Sequence, residues 1–311
     1  MLLSGRRRRC GAALAAAVLA VSPGACDASS RAEGRAVVAV VASTDVYGDV
    51  VTQLAGRLAG NRVAITSVID DPAADPHSYE ANTRTELAIS HADLLIENGG
   101  GYDDFMRTMA RSAHSGAVLI DVVGLSGRRA PAGGDLNEHV WFELPTVGKL
   151  VDRVVAVLST KDPTDAPAFQ ANADLFRTKL AALQRSEAAL KAAHGGAGVA
   201  VTEAVPLYLL QACGLVDRTP PEFSRAVEDE TDVSPRVLRR TLALFSKHQV
   251  KLLVYNEQTA GPITAKVLAA ARAAAIPIVP VTETLPEHSD YLSEIGDVLH
   301  AVRSALSDGA R

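Results

Sequence analysis

Residues 164–193 are dominated by Ala, Leu, Lys, Gln and Glu, with no glycine or proline after Pro167. Such a run predicts one helix well beyond the usual three or four turns, ended by Gly195-Gly196. Leu175, Leu180, Leu183 and Leu190 are expected to form its apolar stripe. On both sides of it, short apolar runs alternate with stretches of helical spacing. That pattern predicts two α/β lobes with mostly parallel sheets, one on each side of the helix. The expected organisation is an N-terminal α/β lobe over 36–147, a linking helical region over 148–194 and a C-terminal α/β lobe over 195–311. A chain of 311 residues is long enough for both.

In the first half, 37–42, 63–69, 93–96 and 117–122 read as strands. Helical spacing marks 45–59, 84–91 and 102–111. The stretch 124–135, rich in Gly, Pro and Arg, reads as a flexible loop, and 145–159 begins the helical region. In the second half the strand candidates are 198–202, 250–255 and 278–281. Helices are expected over 206–212, 234–247, 263–274 and 291–306. Ligands of parallel α/β sheets bind beyond the carboxyl ends of the strands, so polar residues there carry the most functional weight.

The N-terminus has a different character. Arg6 to Arg9 precede an apolar stretch over 10–22, and the small residues Gly24 and Ala25 precede Cys26. This is the layout of a secretory signal over 1–26, with 27–35 as a tether. Gly-Ala-Cys at 24–26 resembles a bacterial lipobox, whose cysteine is acylated, although Pro23 departs from it. The apolar run is too short to favour a permanent membrane span. Without residues 1–25 the chain loses four arginines and no acids. That leaves 27 basic against 36 acidic side chains, a net charge near −9. Such a balance disfavours nucleic acid and is compatible with a cation as ligand. The 4% aromatic content also argues against a base-stacking surface. With Cys10 in the signal and Cys26 acylated, Cys213 is left as a lone thiol. Its neighbours, Leu209-Leu210-Gln211-Ala212, mark it as a buried structural residue.

Two imidazoles and several carboxylates follow strands or precede helices. His77 stands after Pro76, whose ring stiffens the local backbone, beyond the 63–69 strand. His139 lies just ahead of a helix. Glu203 directly follows the 198–202 strand. Glu283 follows 278–281, and Asp290 ends the same loop. Ligands drawn two by two from facing lobes would make a closed site at the domain interface. Two imidazoles with two carboxylates suit a borderline divalent ion such as Zn²⁺ or Mn²⁺. They do not suit Cu(I), which takes sulfur, or Ca²⁺, which takes oxygen. Each acid also has a structural reading: Glu203 and Asp290 could favour helix N-termini, and Glu283 could be a solvated loop acid. His91, His114, His194, His248 and His300 lie in or beside helical stretches without a matching partner. His288 shares the loop of Glu283 and Asp290 and competes with them.

Asp75-Pro76-His77-Ser78-Tyr79-Glu80, Asn98-Gly99-Gly100-Gly101-Tyr102 and His139-Val140-Trp141 resemble the cluster A-I metal-binding proteins of ABC importers. These are the zinc and manganese solute-binding lipoproteins. The likeness extends over the mature chain, through Tyr255-Asn256-Glu257-Gln258 and Val281-Thr282-Glu283-Thr284-Leu285-Pro286. It implies two lobes joined by one long rigid helix, with the metal in the interlobe cleft. By this resemblance His77 and His139 match the two histidines of the first lobe. Glu203 falls where zinc-binding members usually have His and manganese-binding members Glu. Asp290-Tyr291 looks like the family's fourth-ligand position, which sets Asp290 ahead of Glu283. Asn137-Glu138 replaces the more usual Asp-Pro, Glu143 stands for an Asp, and 124–137 holds no histidine-rich loop.

The expected function is therefore capture of a divalent transition metal outside the cytoplasmic membrane, for delivery to an ABC permease. The protein would be a monomer held by lipid on Cys26, and not an enzyme. Zn²⁺ is placed ahead of Mn²⁺ because it binds N/O sites more tightly. A zinc hydrolase with an open metal position is the enzymatic alternative. Neither a His-Glu-x-x-His nor a Gly-x-Ser-x-Gly sequence is present to support it. A surface adhesin is the third reading.

Overall fold

The computed structural model describes residues 38–71, 79, 82–132 and 134–308. Cys26, His77 and the expected signal and tether therefore lie outside the described residues.

The first half forms β1 (Val38–Thr44), α1 (Asp45–Ala55), β2 (Val63–Ile69), α2 (Thr83–Ser90), β3 (Leu94–Glu97), α3 (Asp104–Ser112), β4 (Val118–Asp121) and α4 (Val122–Ser126). Two helices follow, α5 (Leu144–Lys161) and α6 (Ala166–His194). The second half forms β5 (Gly198–Val201), α7 (Leu207–Ala212), β6 (Val216–Asp217), α8 (Pro221–Glu228), α9 (Pro235–Ser246), β7 (Leu253–Asn256), α10 (Pro262–Ala273), β8 (Ile278–Val281) and α11 (Tyr291–Asp308). Every strand pairing is parallel. The sheet orders are β2-β1-β3-β4 and β6-β5-β7-β8.

Strand periodicity divides each sheet into two faces. In the first, Val40, Ala42, Leu94 and Ile96 enter the main core, while Val41 and Leu95 pack beneath α2 and α3 with Ile89 and Met106. In the second, Val199, Val201 and Val254 join the same main core. Ala200 and Leu253 face the other way, toward Phe223, Phe245 and Val267. One continuous apolar cluster thus runs from the first sheet through α5 and α6 to the second.

The long helix has 29 residues and so spans about 44 Å. Its buried positions are Phe169, Ala173, Phe176, Leu180, Glu187 and Leu190, a spacing of three, four or seven. Leu175 is not among them; it is 65% exposed. One residue rotates a helix by about 100°, so Phe176 and Leu175 cannot share a face.

Three expectations need correction. Residues 124–126 are not loop but the last part of α4, whose Gly124 N–H donates to the Asp121 carboxylate at 2.7 Å. The strand expected over 250–255 is Leu253–Asn256, although Lys251 and Leu252 already exchange backbone hydrogen bonds with Gly198 and Ala200 of β5. Neither β6 nor α8 was anticipated. β6 pairs through only two residues, and the Pro220-Pro221 step at the start of α8 reads as a breaker.

Candidate metal centre

The carboxyl edges of both sheets supply the polar side chains of the interlobe region. His139 follows Glu138 and enters a single 3-10 turn over Val140–Phe142. It is fully buried. The rings of Trp141 and Tyr102 stand edge-on to it, with centroids 5.1 and 6.0 Å away. Its orientation is set by Asn137, whose Nδ2 donates to the Ala204 carbonyl at 3.0 Å. That leaves Asn137 Oδ1 as an acceptor 2.8 Å from His139 Nδ1. On the other side of the ring, Nε2 lies 3.7 Å from Glu283 Oε2, so the imidazole bridges Asn137 and Glu283. A backbone or amide oxygen behind the imidazole is the usual support of a metal-ligating histidine.

Glu203 lies two residues beyond β5 and Glu283 two residues beyond β8. They are 2% and 1% exposed. Asn256, the last residue of β7, joins them: its Nδ2 donates to Glu203 Oε2 at 2.5 Å and to Glu283 Oε1 at 2.9 Å. Tyr102 adds a donor from the first lobe, at 3.0 Å from Glu283 Oε2. Tyr102 reaches this place because Gly99, Gly100 and Gly101 all take left-handed conformations. At Gly99 a Cβ would stand 2.4 Å from Asp121 Oδ1, so a side chain there would strain the left-handed backbone and displace the Asp121 carboxylate.

Burial dominates the electrostatics. It pushes the Glu203 carboxyl up to about 7; hydrogen bonding from Thr259 and Asn256 opposes the rise and the charge of Glu283 adds to it. Glu203 Oε1 is buried and accepts no hydrogen bond of ordinary geometry among the described residues. For His139, burial alone would lower the pKa. The hydrogen bond and charge of Glu283, with Glu138 and Glu228 further off, outweigh it, and the net shift is upward. The pocket thus stabilises positive charge on or beside the imidazole. A divalent cation would meet that demand, hold both carboxylates ionised and release a proton from Glu203.

Asp290 is not brought to this cluster. It caps α11, accepting from Ser293 N at 3.1 Å and Ser293 Oγ at 2.7 Å, and it takes a further bond from Gln53. Those helix-end bonds hold its carboxyl below its ordinary pKa even though partial burial would raise it. His288 lies at the surface beside Glu287. Sequence reasoning did not anticipate Glu228 near the site: on α8, it brings a carboxylate oxygen within 4.8 Å of ligand atoms of Glu138 and His139. It also gave no role to Asn137, Tyr102 or Asn256, whose amides and hydroxyl orient the charged groups. Strand-end position was the available signal for Asn256 alone. Cys213 is buried as expected, with its thiol pushed up to about 12 by burial.

Residues 40–305 match the family described as zinc-uptake complex component A, periplasmic. The chain belongs to that family. Within the family's wider kin, it is 26% identical over 168 residues to the manganese-binding lipoprotein MntA of Halalkalibacterium halodurans, covering 54% of each chain. It is 26% identical over 137 residues to the iron-binding protein YfeA of Yersinia pestis, covering 43% of this chain and 44% of that one. The chain thus spans about half the length of the curated relatives it matches. Among solved structures, the periplasmic zinc-binding protein TroA of Treponema pallidum superposes with a TM-score of 0.69 at 18% identity, over 86% of this chain and 99% of that one. The solute-binding protein FpvC of Pseudomonas aeruginosa with Mn²⁺ gives 0.69 at 20% identity, over 87% and 98%. At such identities the likeness establishes the family fold, two α/β lobes about a long helix.

Proposed function

We propose that this chain captures a divalent transition-metal ion outside the cytoplasmic membrane and hands it to an ABC permease. One observation carries the reading. The imidazole of His139 and the carboxylates of Glu203 and Glu283 converge in a buried region, on a scaffold that orients all three. His77, His139, Glu203 and Glu283 are the proposed ligands, with Asp290 reserved for α11. A set filled by protein side chains leaves no open position for a substrate, so the ion is cargo and no covalent chemistry is performed. Family membership and relatives described as manganese-, iron- and zinc-binding proteins support the class of cargo. Zn²⁺ is placed ahead of Mn²⁺ on intrinsic affinity. No helix among the described residues is long and apolar enough to cross a membrane. Attachment is assigned to lipid on Cys26.

The test is a competition titration of metal-free protein with Zn²⁺ and Mn²⁺ against a chromophoric chelator. One equivalent of metal should bind, and more weakly as pH falls through about 7, because Glu203 must ionise. His139→Ala with unchanged affinity for both ions would overturn the site.

A further inference from the structure

The loop that carries Glu283 is held from the opposite lobe. Asp45 is the first residue of α1, directly after β1. Its carboxylate accepts the Leu285 N–H with both oxygens, at 3.1 and 3.0 Å. One turn along α1, Asp49 Oδ2 accepts the Tyr291 N–H at 2.8 Å. A further turn on, Gln53 Nε2 donates to Asp49 Oδ2 at 2.6 Å and to Asp290 Oδ1 at 3.3 Å. Residues 45, 49 and 53 follow an i, i+4, i+8 row, so one stripe of α1 grips the loop from Leu285 to Tyr291. Glu283 lies two residues before the first grip.

Asp45 is costly where it stands. Burial pushes its carboxyl up to about 7, and the backbone bond to Leu285 only partly offsets this. It forms no ion pair with a basic residue among the described residues, where Asp162 and Glu97 have Arg62 and Arg107. A half-buried acid without a counter-ion does not stabilise a fold by charge. What it supplies is a fixed acceptor for one backbone N–H across the cleft.

We propose that Asp45 is a positioning residue for the metal centre: by holding the Leu285 N–H against α1, it places Glu283 opposite His139. This rests on the reading of Glu283 as a ligand. The donor is backbone, so the interaction requires no particular side chain at 285. The chemistry resides in α1, far in sequence from every proposed ligand of the second lobe.

The experiment compares Asp45→Ala, Asp45→Asn and Glu283→Gln in the full mature chain, by Zn²⁺ competition titration and by melting of the metal-free proteins. Asp45→Ala should weaken Zn²⁺ binding about tenfold, mainly through faster release to excess chelator. Asparagine keeps an acceptor oxygen, so Asp45→Asn should stay within about threefold of wild type. A purely structural role would instead lower the metal-free melting temperature in step with affinity and give no asparagine rescue, which overturns the proposal. If Glu283→Gln loses binding while a folded Asp45→Ala does not, the positioning role falls and the site reading stands. If Glu283→Gln binds like wild type, the site reading itself falls. Should Asp45→Ala not fold, amide hydrogen exchange of the wild-type protein decides. A Leu285 amide that exchanges at the rate of a free peptide before metal is added overturns the proposal, and a protected one upholds it.

Discussion

The two sheets have the same strand order and the same supply of polar residues at their carboxyl edges, yet they use them differently. In each, the first strand sits inside, the second at one edge, and the third and fourth follow on the other side. In the first sheet, Asp45 and Asn98 directly follow the first and third strands, and Asp121 ends the fourth. In the second, Glu203 and Glu283 stand two residues beyond the first and fourth strands, and Asn256 ends the third. Asn98 accepts from Tyr47 Oη at 2.5 Å and donates to the carbonyls of Gly99 and Glu138, so its bonds are spent on its own lobe. Asp121 caps α4 and pairs with Arg107. Asn256 instead donates to two acids that share one buried region. One topology thus offers three strand-end positions. Whether they tie loops or concentrate charge depends on whether a base or helix end is near enough to satisfy them.

The largest effect expected from breaking this contrast is at Glu203. Glu203→Ala should weaken Zn²⁺ binding about 100-fold, roughly 2.7 kcal/mol, in a competition titration. The metal-free protein should melt no lower than wild type, because a desolvated carboxyl is removed. Next come the paired asparagines. Asn256→Ala should cost about tenfold in affinity, since it orients both acids. Asn98→Ala should leave affinity nearly unchanged and cost about 2 kcal/mol of stability in urea, by stranding the Tyr47 hydroxyl and two carbonyls. Equal effects of the two substitutions on both readouts would dissolve the distinction between the sheets.

A smaller effect tests the helix that belongs to neither sheet. Glu187 on α6 is buried, its Oε1 lacks a hydrogen bond among the described residues, and burial raises its pKa to about 7. Its folded-state value exceeds the unfolded one, so its contribution to stability is greatest at low pH and is lost as pH climbs from about 4.5 to 7. Glu187→Gln should match wild type near pH 4 and exceed it by about 1–2 kcal/mol at pH 8. Equal stability at pH 8 would show the carboxyl to be solvated. Least of all, Cys213 should resist a thiol reagent in the native protein and react only on unfolding.

Much of this was legible in the chain. The long helix and the two parallel sheets declared themselves through period and composition, because 3.6-residue and two-residue patterns are local. Glu203 and Glu283 stood out as candidates because each follows a strand, where ligands of parallel sheets bind, and His139 because it stands just ahead of a helix. Leu175 was misassigned because a leucine count ignores phase, whereas Phe169, Phe176 and Leu180 define the buried face. The ordering of Asp290 before Glu283 followed a motif, and its cap bonds to Ser293 are as local as any ligand role. Asn137, Tyr102 and Glu228 were silent because neutral or singly placed side chains acquire meaning only from what the fold sets across from them.

The continuous apolar cluster has a consequence for how the molecule comes apart. Neither sheet owns a complete core: Val40 and Ile96 of one and Val201 and Val254 of the other pack into a single mass with Val154, Phe176 and Leu180. Cutting the chain in the turn between α5 and α6 would therefore leave two insoluble halves rather than two small proteins. Heating the intact chain should give one calorimetric peak whose van't Hoff and calorimetric enthalpies agree, the sign of a single unit of cooperativity.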